Sequence, residues 1–272
     1  MRKNHVLEKL RAGQPSVGMW LSLPSPEAAE YVSRLGVDWL VVDAEHSAVD
    51  IRTLALMFMA INGSPAAPMV RIPWNTAETF KRVLDAGAWG VVVPMLKSRQ
   101  EAEDAVSSLR YPPVGVRSVG GGRHAISFDT TAGEYYEHAN AEILLAIQIE
   151  HIDGVERADE ILSVPGIDVC FVGPNDLAAS MGVGLGAGLE CDDPRVVEAI
   201  EHVLQACRRH GVAPGIHCSN AEAVNMRIEQ GFLFCGMASE LRYMLNGISA
   251  DIRKIRREVP SQPASHGPQV QY

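Results

Sequence analysis

The sequence predicts an α/β fold in the form of a (β/α)8 TIM barrel. Short apolar segments rich in Val, Ile and Leu, the composition of buried parallel strands, occur eight times along the chain. Helix-forming segments that begin with Ser, Thr, Asp or Asn separate them. Strands that alternate with helices form a parallel sheet, and eight is the number at which such a sheet closes into a barrel. An open doubly wound sheet is the alternative.

The predicted strands and helices follow one another with short links. The strands cover residues 16–23, 37–42, 67–72, 88–93, 143–149, 167–172, 212–217 and 232–237. Helices are predicted at residues 6–12, 26–35, 50–61, 76–86, 98–109, 131–139, 153–162, 194–210, 220–230 and 240–257. One region departs from this alternation, because residues 111–128 are rich in Gly and Pro and are predicted to form a long loop.

Length and composition are those of one large globular domain with a short tail. The chain has 272 residues, of which 47% are hydrophobic and 21% are charged. Because no internal change of composition divides it, a single barrel domain is expected over residues 1–258. Residues 259–272 are polar and Pro-rich, and they are predicted to be disordered.

Charge, cysteine content and hydropathy exclude several classes of partner. The net charge is −9 and no basic cluster resembles a nucleic-acid site, so no nucleic-acid partner is expected. Five cysteines without a CxxC pair are typical of reduced thiols. No signal-peptide core is visible, and no apolar run approaches the ~18 residues of a membrane span. These features predict a cytoplasmic protein without membrane association.

Polar residues interrupt the apolar pattern at the ends of the predicted strands. The carboxyl ends of parallel strands meet at one edge of the sheet, so these side chains are expected to lie together. In chain order they are Asp43, Glu45, His46, Arg71, Gln148, Glu150, Asn175, Asp176 and His217. Placing so many polar groups beside buried strands costs desolvation energy, which favours a functional site over a structural core.

Two of these acids, Glu150 and Asp176, are candidate ligands of a hard cation. They end the two strands of a strand–helix–strand unit, so they can converge although they are distant in sequence. Each also has a structural explanation. Glu150 could be a solvated acid at the start of the next helix, and Asp176 could cap a helix that begins at Leu177. The joint placement of His, Arg, Gln, Glu and Asp at successive strand ends favours the site.

Two further motifs carry weaker signals. Residues 120–123 (GGGR) could contact a phosphate, but no P-loop Lys-Ser/Thr pair follows, and a flexible loop is the simpler explanation. His217 and Cys218 could ligate a metal, yet no second soft ligand has a suitable spacing.

Five blocks of the sequence resemble the HpcH/HpaI aldolase family, the class II, metal-dependent pyruvate aldolases of the phosphoenolpyruvate/pyruvate superfamily. The blocks are VVDAEHSAVD (41–50), VRIPWN (70–75), RVLDAGAWGVVVPML (82–96), AIQIE (146–150) and FVGPNDLAASMG (171–182). The resemblance spans residues 20–236, with family-like order and spacing. It implies a (β/α)8 barrel, a divalent cation such as Mg²⁺, Mn²⁺ or Co²⁺, and a hexamer that is a trimer of dimers. In such an assembly the last helix is exchanged with a neighbouring subunit.

The resemblance also implies a role for each matching residue. Glu150 and Asp176 match the two metal-ligand carboxylates, and Arg71 matches the arginine that holds the pyruvate or enolate oxygens. His46 matches the catalytic base, and Asp43 matches the acid that orients it. The remaining matches are to substrate-binding positions, namely Gln148 beside the metal, Gly173, Pro174 and Asn175 in the loop whose backbone amides meet the pyruvate carboxylate, and Trp20 near the mouth.

The sequence departs from the family pattern at two places. Members often carry an Arg-Ala-Ser group in the loop after strand 4, whereas residues 118–128 here read SVGGGRHAISF, with Arg123 and His124 shifted. The resemblance implies that this loop shapes the aldehyde side of the pocket, so the aldehyde stays undetermined. The second departure is Asn175, which follows Pro174 where many members have Ala.

The predicted reaction is the reversible cleavage of a 4-hydroxy-2-oxo acid to pyruvate and an aldehyde. The negative charge of a pyruvate enolate would develop opposite the metal and Arg71, while His46, directly or through a water, takes the 4-hydroxyl proton. A lysine Schiff base is disfavoured because Lys81 and Lys97 fall outside the predicted strands. The alternatives are an oxaloacetate decarboxylase or enolate-using synthase, a CoA-thioester lyase, and a non-catalytic barrel that binds small acids.

Overall fold

A closed barrel of eight parallel strands forms the centre of the structure, a computed structural model that describes residues 1–255. The strands are β1 (Ser16–Leu21), β2 (Trp39–Asp43), β3 (Ala67–Arg71), β4 (Gly90–Val93), β5 (Leu144–Ile149), β6 (Val169–Val172), β7 (Ala213–His217) and β8 (Phe234–Ser239). Each strand pairs with its neighbours in chain order, and β8 closes the ring against β1. The prediction of a (β/α)8 barrel is thus confirmed.

Helices connect the strands and cover the outside of the barrel. They are α1 (His5–Arg11), α2 (Pro26–Ser33), α3 (Ile51–Asn62), α4 (Ala77–Asp85), α5 (Arg99–Leu109), α6 (Arg123–Ser127), α7 (Ala132–Glu142), α8 (Ile152–Glu156), α9 (Ala158–Leu162), α10 (Pro174–Ser180), α11 (Pro194–His210), α12 (Ala221–Gln230) and α13 (Glu240–Lys254). Five of the capping residues visible in the sequence accept a hydrogen bond from the first turn, namely Ser25, Asp50, Thr76, Ser98 and Asn220.

Three helical segments differ from the sequence-based predictions. The helix predicted at residues 153–162 is divided into α8 and α9 at Arg157, whose φ of −107° and ψ of 16° interrupt the helix. The long loop predicted at residues 111–128 contains the short helix α6. Asp176 lies inside the first turn of α10, which excludes the alternative that it caps a helix beginning at Leu177.

Aromatic rings fill the interior of the barrel, and a glycine lies against one of them. Trp39 and Phe234 stack with 4.1 Å between ring centroids. A Cβ on Gly18 would overlap the Trp39 indole, so this position of β1 accommodates only glycine without rearrangement. The filled interior leaves the carboxyl ends of the strands as the place where a cavity can open.

Residues 118–128 lie at the amino end of the barrel. The backbone N–H of Arg2 donates to the Phe128 carbonyl at 2.8 Å, and the Ser127 hydroxyl donates to the Gly87 carbonyl at 2.7 Å. The Trp89 indole N–H donates to Ser127 Oγ at 3.0 Å. Gly87 and Trp89 immediately precede β4, which places α6 at the end of the barrel opposite the strands' carboxyl ends.

The C-terminal part of the domain prediction is only partly described. Helix α13 ends at Lys254, and the predicted domain boundary at residue 258 and the predicted disordered tail at residues 259–272 lie outside the described residues. Within residues 1–255, no helix combines the length and the hydropathy that crossing a lipid bilayer requires.

Candidate active site

A cavity of about 290 Å³ opens at the carboxyl ends of the strands. Its walls are formed by Trp20, Ser22, Asp43, His46, Arg71, Gln148, Glu150, Gly173, Asn175, Asp176, Leu189, His217, Ala238, Ser239 and Arg242. Of the residues to which the resemblance gives a role, only Pro174 is not part of this wall, because it is buried as the first residue of α10. Glu45, which was expected at the same edge, also lies outside the wall. The strand-end argument therefore located the other residues correctly, and their chemical roles stay predictions.

Glu150 is a buried carboxylate at the end of β5, with 3% of its surface exposed. Its Oε1 accepts the backbone N–H of Met95 at 2.8 Å, and its Oε2 accepts Gln148 Nε2 at 2.8 Å. Gly173, at the end of β6, faces this carboxylate so closely that a Cβ would overlap Glu150 Oε2. The position of the carboxylate is thus fixed from three sides.

The surroundings of Glu150 disfavour its negative charge. Burial, joined by the charges of Asp176 and Glu45, raises the pKa of Glu150 to about 8, although Arg71 and the Met95 N–H oppose the shift. A buried carboxylate beside a second acid is a group that a divalent cation would stabilise.

Glu150 and Asp176 fit the requirements of a hard divalent cation. Both offer carboxylate oxygens at the open end of the barrel, the ligands that Mg²⁺ and Mn²⁺ prefer. Among residues 1–255, no group of three or more His, Cys, Asp or Glu side chains could hold a metal. Two protein carboxylates would leave the other coordination positions for substrate and water.

Arg71 is the principal cation of the cavity. It donates from Nε to Asp43 Oδ1 at 3.0 Å and from Nη2 to Asp43 Oδ2 at 2.7 Å, and Glu45 Oε2 lies 3.2 Å from Nε. Its guanidinium carbon lies 4.6 Å from the ring centroid of Trp20. Burial opposes its charge, but Asp43, Glu45 and Glu150 outweigh that effect and raise the pKa of Arg71.

Asp43 contacts Arg71 rather than the imidazole of His46. Burial opposes its ionisation, but the hydrogen bonds and charge of Arg71 prevail and lower the pKa of Asp43. It also accepts the backbone N–H groups of Glu45 and His46 at 3.1 and 3.3 Å. The prediction that Asp43 orients the His46 ring is therefore wrong for this structure, because strand pairing places Asp43 directly beside Arg71.

His46 lies at the rim of the cavity, with 67% of its side chain exposed. Its Nε2 is 3.5 Å from Glu45 Oε2, which makes Glu45 the acid beside the imidazole. Burial raises the pKa of Glu45, although Arg71 and His46 oppose the shift. The sequence placed Glu45 at the end of strand 2 but gave it no role, and its pairing emerges only from the structure.

Comparison with known proteins now identifies the family. The HpcH/HpaI aldolase/citrate lyase family model matches residues 16–247. The chain belongs to this family.

Individual family members resemble the chain over most of its length. The 5-keto-4-deoxy-D-glucarate aldolase of Shigella boydii serotype 18 is 38% identical over 232 residues, which are 85% of this chain and 88% of that protein. A solved HpcH/HpaI aldolase/citrate lyase family protein from Burkholderia cenocepacia J2315 has a TM-score of 0.85 and 34% identity, covering 93% of this chain and 100% of that chain. The solved citrate synthase SbnG has a TM-score of 0.80 and 27% identity, and the match covers 91% of this chain and 96% of that chain.

Membership of the HpcH/HpaI family supports the predicted enzyme class. The chain is a class II, divalent-metal-dependent aldolase, as its strand-end carboxylates suggested. Within residues 1–255 no lysine lines the cavity, so the described site offers no amine for a Schiff base.

The loop at residues 118–128 does not contribute to the cavity of its own subunit. None of its residues lines the cavity, and α6 packs against the segment that precedes β4. The expectation that this loop shapes the aldehyde side of the pocket is not met within one subunit. The sequence could have predicted this placement, because the loop follows helix α5. A loop that leads from a helix into the next strand lies at the amino end of a barrel.

Several wall residues of this family member were not singled out from the sequence. Leu189, Ala238, Ser239 and Arg242 complete the cavity together with Ser22, which lies in the first predicted strand. Glu240 fixes the backbone at Ser22, because its carboxylate accepts the backbone N–H groups of Ser22 at 2.9 Å and Leu23 at 2.7 Å. Ser239 is the last residue of β8, and its position as a polar residue at a strand end is the signal that could have found it.

Metal binding by this aldolase is expected to depend on pH. Burial raises the pKa of Glu150 to about 8, so a cation held by this carboxyl would displace its proton at lower pH. Affinity for Mn²⁺ should therefore rise by about tenfold per pH unit between pH 6 and 7.5, and level off above pH 8. Calorimetric titration in buffers of different ionisation enthalpy would measure both the affinity and the released proton. A flat affinity over this range would contradict the assignment.

Proposed function

We propose that this aldolase reversibly cleaves a 4-hydroxy-2-oxo acid to pyruvate and an aldehyde. One observation carries the proposal, namely that the acids Glu150 and Asp176 and the guanidinium of Arg71 face one cavity. Carboxylates that hold a cation, together with a fixed arginine, suit a substrate whose 2-oxo acid end becomes an enolate. The relatives named 5-keto-4-deoxy-D-glucarate aldolase support this class of substrate.

The residues at the 2-oxo acid end would bind and orient the pyruvate half. A divalent cation held by Glu150 and Asp176 would supply positive charge that stabilises the developing enolate. Arg71, held by Asp43 and packed on Trp20, would donate hydrogen bonds to the same oxygen. The other groups at this end are Gln148, which holds Glu150, and Gly173, Pro174 and Asn175, which bring backbone at the start of α10 to the substrate carboxylate.

His46 would take the proton of the 4-hydroxyl, directly or through a water. Histidine is suited to this task because its ordinary pKa lies near neutral pH. The ring stands at the cavity rim, where the aldehyde half of the substrate would leave, and Glu45 rather than Asp43 would hold it.

Proton exchange tests the proposed function without knowledge of the aldehyde. Protein incubated with pyruvate and Mn²⁺ in D₂O should exchange the methyl protons of pyruvate, because exchange requires a working enolate site. EDTA should abolish the exchange, and Mg²⁺, Mn²⁺ or Co²⁺ should restore it. Absence of exchange with any metal would refute the proposal and favour a barrel that only binds acids. Trapping of pyruvate by borohydride would point to a lysine instead.

Replacement of His46 separates its role from that of the enolate site. His46→Ala should lower aldol cleavage by about 10²-fold or more, because the hydroxyl proton loses its acceptor. Decarboxylation of oxaloacetate should fall only a few-fold, because no hydroxyl proton is removed in that reaction. Steady-state rates of both reactions check this expectation. The matched control is His202→Ala, at an exposed position of α11, which should change neither rate. Equal loss of both activities would rule out the base assignment.

A second candidate is an enolate-using synthase or oxaloacetate decarboxylase with the same site. The resemblance to the solved citrate synthase favours it, since that protein shares the fold at 27% identity. A CoA-thioester lyase has less support, because a nucleotide needs a basic surface and the described cavity wall contains only two arginines, Arg71 and Arg242. The rate of addition of pyruvate to aldehydes, compared with the rates of oxaloacetate decarboxylation and of condensation with oxaloacetate, distinguishes the candidates.

We also propose a homo-oligomer in which α13 is exchanged between subunits, as in a hexamer of three dimers. Only Glu240 of this helix is buried, whereas five apolar side chains of α13 are 42–52% exposed, namely Tyr243, Met244, Leu245, Ile248 and Ile252. A neighbouring copy of the chain would cover them. Light scattering of the purified protein would give the number of subunits.

The five cysteines are free, which suits the predicted reducing cytoplasm.

A further inference from the structure

One wall of the cavity has, apart from Trp20, no role in the reaction as described so far. It is formed by the ends of β7, β8 and β1, and in the ring of eight strands β1 lies opposite β5, which carries Glu150. In the proposed reaction this wall would face the part of the substrate that does not become pyruvate, and its polar side chains would contact the aldehyde.

His217 is a half-buried polar residue of this wall. It ends β7, and its imidazole packs against Trp20 at 5.4 Å and Phe171 at 6.5 Å between ring centroids. Its Nε2 is buried and has no hydrogen-bond partner within residues 1–255. Buried polar atoms are usually hydrogen-bonded, so an atom without a protein partner on a residue that lines a cavity can accept or donate a bond to a ligand or a water.

The imidazole of His217 is held in its neutral form. Burial, aided by the charges of Arg71 and Arg242, lowers the pKa of His217 to about 3, and Asp43 opposes the shift only weakly. A neutral imidazole has one nitrogen that donates and one that accepts. A hydroxyl group, which can also donate and accept, pairs with either tautomer, whereas a carboxylate would pair best with the charged ring that these surroundings disfavour.

We propose that His217 is a specificity-determining residue that hydrogen-bonds a hydroxyl group carried by the aldehyde. The inference rests on the proposed cleavage to pyruvate and an aldehyde, and it names the class of aldehyde as a hydroxyaldehyde. An aldehyde with a methyl group at the same place would leave the imidazole unpaired, and a site built for a hydrogen bond rejects such an analogue strongly.

A matched pair of aldehydes tests this proposal. Glycolaldehyde and propionaldehyde differ by a hydroxyl in place of a methyl group, and each is condensed with pyruvate in the presence of Mn²⁺. The native enzyme should prefer glycolaldehyde in kcat/KM. His217→Leu and His217→Ala should lower the ratio of the two kcat/KM values by about tenfold or more. His217→Asn, which keeps a donor and an acceptor, should retain most of the preference. The control His202→Leu, on the outer surface of α11, should leave the ratio unchanged.

Proton exchange of pyruvate in D₂O separates failure of this proposal from failure of the proposed function. The two apolar variants should keep exchange at the native rate, because no aldehyde takes part. If the native enzyme shows no exchange, the proposed function fails. If exchange is intact but the aldehyde ratio does not change in whichever apolar variant folds, His217 does not select the aldehyde. Loss of exchange in both folded variants would also overturn the proposal, because His217 would then support the enolate site.

Discussion

Glu150→Gln is expected to lower aldol cleavage and pyruvate proton exchange by about three orders of magnitude or more. The substitution removes the buried charge that a divalent cation requires while keeping the shape of the side chain. Calorimetry should detect no Mn²⁺ binding at the site. The metal-free variant should nevertheless melt at the native temperature or above it, because the pKa of about 8 shows that burial already disfavours the carboxylate at neutral pH.

The hydrogen bonds around Glu150 allow this variant to fold. Gln148 now donates to Glu150 Oε2, and its own Oε1 is buried without a partner. Rotation of the Gln148 amide would present Oε1 to the introduced amide, so no donor need face another donor. Glu229→Gln, at an exposed position of α12, is the matched control and should behave as the native enzyme. Activity within a few-fold of native in the Glu150 variant would show that Glu150 does not hold the metal.

Arg71→Ala is expected to lower both aldol cleavage and pyruvate proton exchange by about 10²- to 10³-fold. Both reactions pass through the enolate, whose oxygen loses the hydrogen bonds that Arg71 would donate. The variant should also unfold more easily, because Asp43 stays buried after losing two hydrogen bonds to the guanidinium. Breaking such a pair costs about 3–5 kcal/mol. Rates of the two reactions and thermal melting measure the two effects separately.

Arg71→Lys distinguishes the chemical role of Arg71 from its structural one. A lysine keeps the positive charge beside Asp43 and should recover much of the stability. It lacks the planar guanidinium group, whose several N–H groups can donate to Asp43 and to the substrate together. Exchange should therefore remain well below the native rate. Arg52→Ala, at an exposed position of α3, is the control for loss of an arginine. Exchange at the native rate in a folded Arg71→Ala protein would exclude Arg71 from the enolate site.

The edge of the sheet that carries the site was predictable because strand ends are local features. Apolar runs of strand length and polar residues directly after them are visible in the chain, and parallel pairing brings those ends together whatever the details. That is why Glu150, Asp176, Arg71 and His46 were found. The same logic, applied to the helix that precedes residues 118–128, would have placed that loop at the opposite end of the barrel.

The partner of each side chain was not predictable in the same way. Asp43 is three residues from His46 and distant from Arg71 in sequence, yet the pairing of β2 with β3 sets it beside Arg71. The acid near the imidazole is then Glu45. Likewise, nothing in the sequence of β7 shows that the ring of His217 packs between Trp20 and Phe171, because those rings come from strands β1 and β6.

The sequence by itself determined the barrel, the family and the edge at which the acids, the arginine and the histidine gather. Each of these depends on hydropathy patterns and on residues near strand ends, which are properties of short segments. Only the tertiary structure decided that Asp43 holds Arg71, that Glu45 faces His46, and that His217 lines the same cavity as these residues. The reason is physical: hydrogen bonds and burial depend on strand register and barrel closure, which bring together side chains from distant parts of the chain.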